Sequence, residues 1–231
     1  MTNRRLFLMS APAGLATAFV ARNTALADDK KKDEEEVGAA EDLMREHGVL
    51  NRVLLIYEEG LRRIHKNQDI PPEVFRTTAT LVRKFVEDYH EQLEEKHIFP
   101  AFEKAQKLAD LVKVLRRQHE AGRDLTAVIL RESADDRFKK DDARKAIVTS
   151  CEAFIRMYRP HESREDTVLF PALRKVLSEK QIKELGEQFE KEEDKLFGEE
   201  GFEKVVDQVA GIEKQLGIHD LEQFTPKPTK K

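Results

Sequence analysis

Two segments of the chain repeat one pattern of histidine and acidic residues that suits metal binding. Residues 90–102 read HEQLEEKHIFPAF, and residues 161–173 read HESREDTVLFPAL. Each copy has a His, Glu at +1, Glu at +4, a second acid at +5 and Phe-Pro-Ala at +9 to +11. Imidazole nitrogens and carboxylate oxygens are ligands for first-row metal ions. The copies begin at His90 and His161, and a repeat with so long a period indicates a duplicated supersecondary unit.

Two further histidines extend the duplication beyond the repeat itself. The separation of His47 from His119 is nearly the same as that of His90 from His161. In a helix the +4 residue lies about 40° round the axis and one turn along, so each repeat His projects beside its +4 Glu. The candidate metal ligands are the four histidines and the two +4 glutamates: His47, His90, Glu94, His119, His161 and Glu165.

The elements that carry these residues are helices, because apolar residues recur at steps of three and four throughout. The pattern predicts helices at about 41–65, from Pro72 through the first repeat to Phe99-Pro100, at 105–131, and from near Asp142 through the second repeat. Short connections between four helices favour an all-α, up-down-up-down bundle. Two additional C-terminal helices are expected at 179–198 and 202–216, followed by an extended tail. For Pro160 two alternatives stay open: the helix begins anew there, or it kinks.

The segment 1–27 has the pattern of a signal peptide: a basic start, an apolar run and Ala25-Leu26-Ala27. The Arg4-Arg5-Leu6-Phe7-Leu8 core is similar to a twin-arginine signal, with an ordinary secretory signal as the alternative. The expected organisation is a signal peptide at 1–27, a charged linker at 28–40, the bundle at 41–177, and a C-terminal extension at 178–231. Either signal predicts a periplasmic or exported protein.

Composition excludes several classes of protein. Removal of residues 1–27 would leave 38 basic against 45 acidic residues, a net charge of −7, so we expect neither nucleic-acid binding nor insertion in a membrane. The single Cys151 rules out an internal disulfide and is expected in the core.

Four imidazoles and two carboxylates in a bundle core would be costly to bury without compensation. A pair of cations would neutralise the carboxylates and use the imidazole lone pairs. Mixed nitrogen and oxygen ligands suit iron or manganese better than zinc, whose structural sites are commonly rich in thiolates.

At these residues the sequence resembles the hemerythrin-like, HHE cation-binding family, over about residues 41–177. The resemblance implies a four-helix bundle with a non-haem di-iron centre, in which His47, His90, His119 and His161 are terminal ligands. Glu94 and Glu165 would be the bridging carboxylates, while Glu91 and Glu162 would be extra ligands or hydrogen-bond acceptors behind the ligands. Two iron ions are therefore the expected cofactor, in preference to manganese.

Three departures from the oxygen-carrying hemerythrins matter. Those carriers have a His four residues after the histidine of the third helix, where this chain has Arg123, and this argues against simple oxygen carriage. Asp166 also fits the spacing of a bridge, although Glu165 matches Glu94 within the repeat and is preferred. His97 has Val168 as its counterpart, so we expect His97 to lie outside the ligand set.

Three functions remain open at this point. The favoured one is a binding protein or sensor for a small ligand: dioxygen, nitric oxide or peroxide. A peroxidase, ferroxidase or iron-storage protein would use the same centre. The third possible function is that of a structural or interaction protein. In it, metal only stabilises the bundle and the C-terminal region docks on a partner. The redox partner is not identified by any motif.

Overall fold

The structure, a computed structural model, describes residues 38–227, and every regular element in that range is a helix. The prediction of an all-α fold is confirmed, with helices packed antiparallel as in a bundle. The predicted signal peptide at 1–27, most of the predicted linker at 28–40 and the last four residues lie outside the described residues. Among the helices described, none has both the length and the hydrophobicity that a membrane span needs.

Seven helices follow one another in the described part of the chain, and a short 3₁₀ helix, Leu221–Phe224, comes after them. Helix α1 is Ala39–His65, α2 covers 72–104, α3 is Ala109–Glu132, α4 is Asp135–Phe138, α5 covers 141–175, α6 is Glu179–Phe197 and α7 is Gly201–Leu216. Helices α1, α2, α3 and α5 form the bundle, and the short α4 lies within a segment that was expected to be a plain connection. Helix α3 begins later than predicted because Gln106 and Leu108 both adopt left-handed backbone conformations.

Helices α2 and α5 each change their hydrogen-bond spacing along their length. Helix α2 consists of Pro72–Leu81, a π-helical Val82–His90, Glu91–Leu93, a π-helical Glu94–Ile98 and Phe99–Lys104. Helix α5 consists of Asp141–Arg164, a π-helical Glu165–Leu169 and a 3₁₀-helical Phe170–Lys175. In both repeats, therefore, a π-helical turn begins at the +4 glutamate and ends just before Phe-Pro. Such turns occur frequently at functional sites.

The prediction that Phe99-Pro100 interrupts the second helix is wrong. The amide of Phe99 donates to the carbonyl of Glu94, five residues back, and Pro100 then falls in the first turn of the next helical segment. A proline is tolerated there because its missing N–H needs no partner. In the second repeat, Phe170 donates to Glu165 in the same way. Pro160 lies within the continuous segment Asp141–Arg164, so the helix does not begin anew at that residue.

The C-terminal helices are docked on the bundle. Helices α6 and α7 pack against α1, where Arg52 on α1 makes two hydrogen bonds with Glu213 on α7, at 2.9 and 2.6 Å. Phe189 of α6 is fully buried in the same apolar core as the bundle residues. Cys151 is buried too, as expected of a core residue.

Candidate metal centre

The six predicted ligand residues converge in the interior of the bundle. His47 comes from α1, His90 and Glu94 from α2, His119 from α3, and His161 and Glu165 from α5. None is more than 4% exposed to solvent, and both glutamates are fully buried. We call these six residues the inner centre. The structure brings together every residue that the sequence pattern proposed for it.

The Nε2 atoms of the histidines surround the two carboxylates. Around Glu165, the Oε2 atom lies 3.4 Å from Nε2 of His47 and 3.1 Å from Nε2 of His161. Around Glu94, the Oε2 atom lies 3.7 Å from Nε2 of His90 and 3.4 Å from Nε2 of His119. Two groups of possible ligand atoms result, and within each group the atoms lie within 4.8 Å of one another. The first group has one atom from each of Glu94, His119, His161 and Glu165, and the second has one from each of His47, His90 and Glu94.

The Nδ1 atoms point away from the centre and are held by other side chains. In His47 and His119, Nδ1 lies 2.7 Å from Asp166 Oδ1 and 2.9 Å from Glu95 Oε1. Asp166 and Glu95 are the +5 acids of the two repeats. A carboxylate accepts the proton of Nδ1, so the lone pair of Nε2 faces inward, as a metal ligand requires.

The other two histidines are held in a second matched pair of contacts. Nδ1 of His90 lies 2.6 Å from Glu46 Oε2, and Nδ1 of His161 lies 2.9 Å from Gln118 Oε1. Glu46 immediately precedes His47, and Gln118 immediately precedes His119. The duplication therefore includes the partners of the ligands as well as the ligands.

The phenylalanine of each Phe-Pro-Ala motif packs against a histidine of the inner centre. The ring of Phe99 stacks on His119 with ring centroids 5.4 Å apart, and the ring of Phe170 stacks on His47 at 5.6 Å. Each repeat thus fixes a histidine of another helix twice, through its +5 acid and through its phenylalanine. Both contacts restrict the rotation of the imidazole.

The residues fit a cation on grounds of hydrogen bonding. Both carboxylate oxygens of Glu94 and both of Glu165 are buried without any hydrogen-bond partner in the described structure. Buried carboxylates without partners are very costly, and a coordinated cation would supply the missing interaction to all four oxygens.

The pKa values of the buried carboxyl groups also favour a bound cation. Burial and the neighbouring Glu165 charge raise the pKa of Glu94 well above its ordinary value. Burial also acts to raise the pKa of Glu165, but His161 and His47 outweigh it and hold that pKa well below the ordinary value. Burial lowers the pKa of His47, yet the hydrogen bond to Asp166 and the adjacent Glu165 carboxylate outweigh burial and raise it to about 10. The two carboxylates are therefore unequal, and positive charge between them would favour the ionised form of both.

The comparison with protein families decides which group of proteins this is. The hemerythrin HHE cation binding domain matches residues 38–173, and a second match covers residues 110–225. The chain belongs to the hemerythrin HHE cation-binding family. Uncharacterized proteins of Mycobacterium tuberculosis and Mycobacterium bovis are each 50% identical to it over 199 residues, which cover 86% of this chain and 78% of the relative. No solved structure matches the chain.

The other acidic residues of the repeats contact side chains around the inner centre. Glu91 accepts a 2.6 Å hydrogen bond from the Tyr158 hydroxyl, and Glu162 accepts a 2.9 Å hydrogen bond from Asn51 Nδ2. Asp166 is one-third exposed and contacts His47 on its outer side, whereas Glu165 is fully buried among the histidines. Glu165 therefore takes the inward position and Asp166 the outward one.

Arg123 stands where oxygen-carrying hemerythrins have a further histidine. Its Nη2 atom lies 2.7 Å from Glu95 Oε1 and 2.8 Å from Glu91 Oε2. Arg123 thus neutralises two carboxylates next to the centre and contributes no ligand atom. His97 lies apart from the centre, beside Gln188, Phe189 and Glu192 of α6.

Sequence reasoning missed the role of four residues that hold the histidines of the inner centre in place. The +5 acids Glu95 and Asp166 were visible in the repeat, which was the signal available for them. Glu46 and Gln118 gave no signal, because a Glu or Gln on a charged helix is ordinary. Only the packing of one helix against another brings Glu46 to His90 and Gln118 to His161.

Proposed function

We propose that the protein is a non-haem di-iron protein that binds or senses a small ligand, dioxygen, nitric oxide or peroxide, outside the inner membrane. One observation carries the proposal: four inward-facing Nε2 atoms surround two carboxylates whose four oxygens have no other partner. His47, His90, His119 and His161, together with Glu94 and Glu165, would hold the irons.

Mixed imidazole and carboxylate donors support iron over zinc, and bundle interiors commonly hold paired irons in this way. When bound, a ferrous pair supplies electrons and an open coordination position to a small ligand. The protein residues orient and tune that pair. The acceptors on each Nδ1 fix the imidazole tautomers, and Phe99 and Phe170 keep water away from two of the rings.

Arg123 supports a sensor or reactive centre over a simple oxygen carrier. A guanidinium in place of a fifth imidazole leaves the ligand set one donor short on the side of His119. Tyr158, whose hydroxyl is hydrogen-bonded to Glu91, lies with its ring 5.4 Å from that of His161. Glu91 and Tyr158 therefore place a proton-bearing pair at the edge of the centre.

The export route is part of the proposal and rests on the segment 1–27. The Arg4-Arg5 motif and the Ala25-Leu26-Ala27 site support delivery of the folded protein to the periplasm. A peroxidase or ferroxidase is the second candidate, because the same centre suits either activity.

Optical titration tests the proposed function. The mature protein is loaded with ferrous iron without air and then exposed to air, nitric oxide or peroxide in separate samples. An absorption change that reverses when the ligand is removed supports a binding protein. Continuous consumption of peroxide supports the enzyme instead. His97→Ala serves as the control. His97 lies on α2, as His90 does, but its side chain is apart from the inner centre. An absorption spectrum that responds to none of the three ligands in iron-loaded protein contradicts both functions.

A further inference from the structure

The histidines of the inner centre form two pairs. The Nε2 atoms of His119 and His161 lie 3.3 Å apart, and their ring centroids are 5.0 Å apart. The ring centroids of His47 and His90 are 4.8 Å apart. We call them the His119–His161 pair and the His47–His90 pair. The two pairs differ in the side chains that contact their outer nitrogens.

The His47–His90 pair has a carboxyl group behind each imidazole. Asp166 Oδ1 lies 2.7 Å from Nδ1 of His47, and Glu46 Oε2 lies 2.6 Å from Nδ1 of His90. Behind the His119–His161 pair, Gln118 supplies a neutral amide and only Glu95 supplies a carboxyl group. A carboxylate that accepts from Nδ1 raises the basicity of the imidazole as a ligand. The His119–His161 pair therefore has one such partner fewer.

Arg123 weakens the one carboxyl partner that the His119–His161 pair has. Its Nη2 atom lies 2.7 Å from Glu95 Oε1, and the same oxygen atom lies 2.9 Å from Nδ1 of His119. The guanidinium and the imidazole thus share one acceptor atom, and the cation offsets part of the negative charge of that atom. The Arg123 side chain is only 26% exposed, so salt screens this interaction less than it would at the surface.

The equivalent position in the other half of the bundle carries no charge. Asn51 follows His47 by four residues, as Arg123 follows His119. The Nδ2 atom of Asn51 donates to the carbonyl of His47 at 3.0 Å. Within residues 38–227, no arginine forms an ion pair with Asp166. The carboxylate behind His47 therefore keeps its full effect on the imidazole, whereas the carboxylate behind His119 does not.

Arg123 is fixed in place by a network of side chains that also contacts His161. Its Nη2 atom lies 2.8 Å from Glu91 Oε2, and Glu91 Oε1 accepts a 2.6 Å hydrogen bond from the Tyr158 hydroxyl. Glu91 is only 1% exposed, and the ring centroid of Tyr158 lies 5.4 Å from that of His161. The guanidinium is therefore held beside Glu95, and the network contacts both histidines of the pair.

We infer that Arg123 is a positioning residue that makes the His119–His161 pair the weaker electron donor, so that this side of the centre takes the small ligand. The role presupposes the di-iron centre of the proposed function. Weaker imidazole donors favour the ferrous state, which is the state that binds nitric oxide. Arg123 also stands on this side in place of a further ligand, so a coordination position is open where the donors are weakest.

Replacement of the charge tests this role. Wild type and Arg123→Gln are loaded with ferrous iron without air, analysed for iron, and compared by potentiometric titration and Mössbauer spectroscopy. In Arg123→Gln, Glu95 becomes a stronger acceptor, so the potential on this side should fall by about 60 mV, a tenfold change in the one-electron equilibrium. Only one of the two iron signals should change. Gln118→Glu should change the same signal, and Asp166→Asn the other.

Nitric oxide then identifies the side that takes the ligand. A first equivalent added to the wild-type ferrous protein should perturb the iron signal that responds to Arg123→Gln. Arg117→Gln is the matched control, because Arg117 is exposed on the same helix and the charge change is identical. Its potential should stay at the wild-type value. Arg123→Lys keeps the positive charge and should also stay near that value, whereas a purely structural role would make the Lys and Gln variants alike.

The outcomes separate this role from the proposed function. Wild-type iron well under one per chain overturns the di-iron centre and the role of Arg123 together. With iron bound, an unchanged potential in Arg123→Gln, or an equal fall in Arg117→Gln, overturns the role of Arg123 alone. So does nitric oxide that first perturbs the iron signal sensitive to Asp166→Asn.

Discussion

Glu46 and Gln118 hold equivalent positions in the two halves of the bundle, but Glu46 presents an ionisable carboxyl group and Gln118 a neutral amide. Glu46 Oε2 lies 2.6 Å from Nδ1 of His90, and Gln118 Oε1 lies 2.9 Å from Nδ1 of His161. A carboxylate partner makes an imidazole a stronger donor than an amide partner does. The duplication has therefore left a centre with two chemically different sides.

This asymmetry predicts a change of potential in Gln118→Glu. A second carboxylate behind His161 should stabilise the ferric state and lower the reduction potential of the iron on that side. A tenfold change in the one-electron equilibrium corresponds to about 60 mV. Potentiometric titration of the iron-loaded protein measures it, and the reverse change, Glu46→Gln, should raise the potential on the side of His90. Potentials that stay constant in both variants would show that the partner of Nδ1 does not tune the centre.

Glu165 and Asp166 are neighbours in sequence but are expected to respond differently to mutation. Glu165→Gln should reduce the iron content strongly, because it removes the buried carboxylate between His47 and His161. Asp166→Ala should keep both irons at saturation but lower the affinity by about 10–100-fold, because it removes only the support of His47. Iron titration with a competing chelator measures both. The opposite order of effects would make Asp166 the bridge.

Gly122 lets Tyr158 reach Glu91. A Cβ on Gly122 would lie 2.0 Å from the Tyr158 hydroxyl, so Gly122→Ala must displace Tyr158 from its hydrogen bond. We expect a loss of about 1–3 kcal/mol in the free energy of unfolding, as for other overpacked cores. Urea denaturation of the full chain measures it.

The control for this substitution is Gly211→Ala in α7. A Cβ there meets nothing within 4 Å, so the better helix former should stabilise the protein by up to about 1 kcal/mol. Equal effects at Gly122 and Gly211 would mean that the close approach of Tyr158 is unimportant.

The sequence predicted which histidines and glutamates meet in the bundle interior, because their positions follow directly from helical periodicity and from the repeat. His47 and His119 emerged from their spacing, and the structure brings both to the centre. Asp166 was considered as an alternative bridge, whereas its carboxylate contacts the outer nitrogen of His47. A spacing of four or five residues cannot separate these roles, since both positions lie on nearly the same face of a helix.

Other features depend on contacts that no local pattern encodes. Pro100 was expected to end its helix, but the π-helical bond from Phe99 to Glu94 carries the chain through it. Glu46 and Gln118 act on histidines of other helices, far along the chain, and Glu193 meets Asp42 only because α6 folds back on α1. Such relationships arise from tertiary packing.

The iron content of the folded chain tests the central claim most directly. The mature protein is loaded with ferrous iron without air, desalted and analysed for metal, with circular dichroism to establish folding. We predict about two irons per chain, the number that di-iron bundles hold, for the wild type and for His97→Ala. The double variant His119→Ala/His161→Ala should remain helical and hold fewer than one. A folded wild-type chain with well under one iron, or a double variant that keeps the wild-type iron content, would contradict a di-iron centre at these residues.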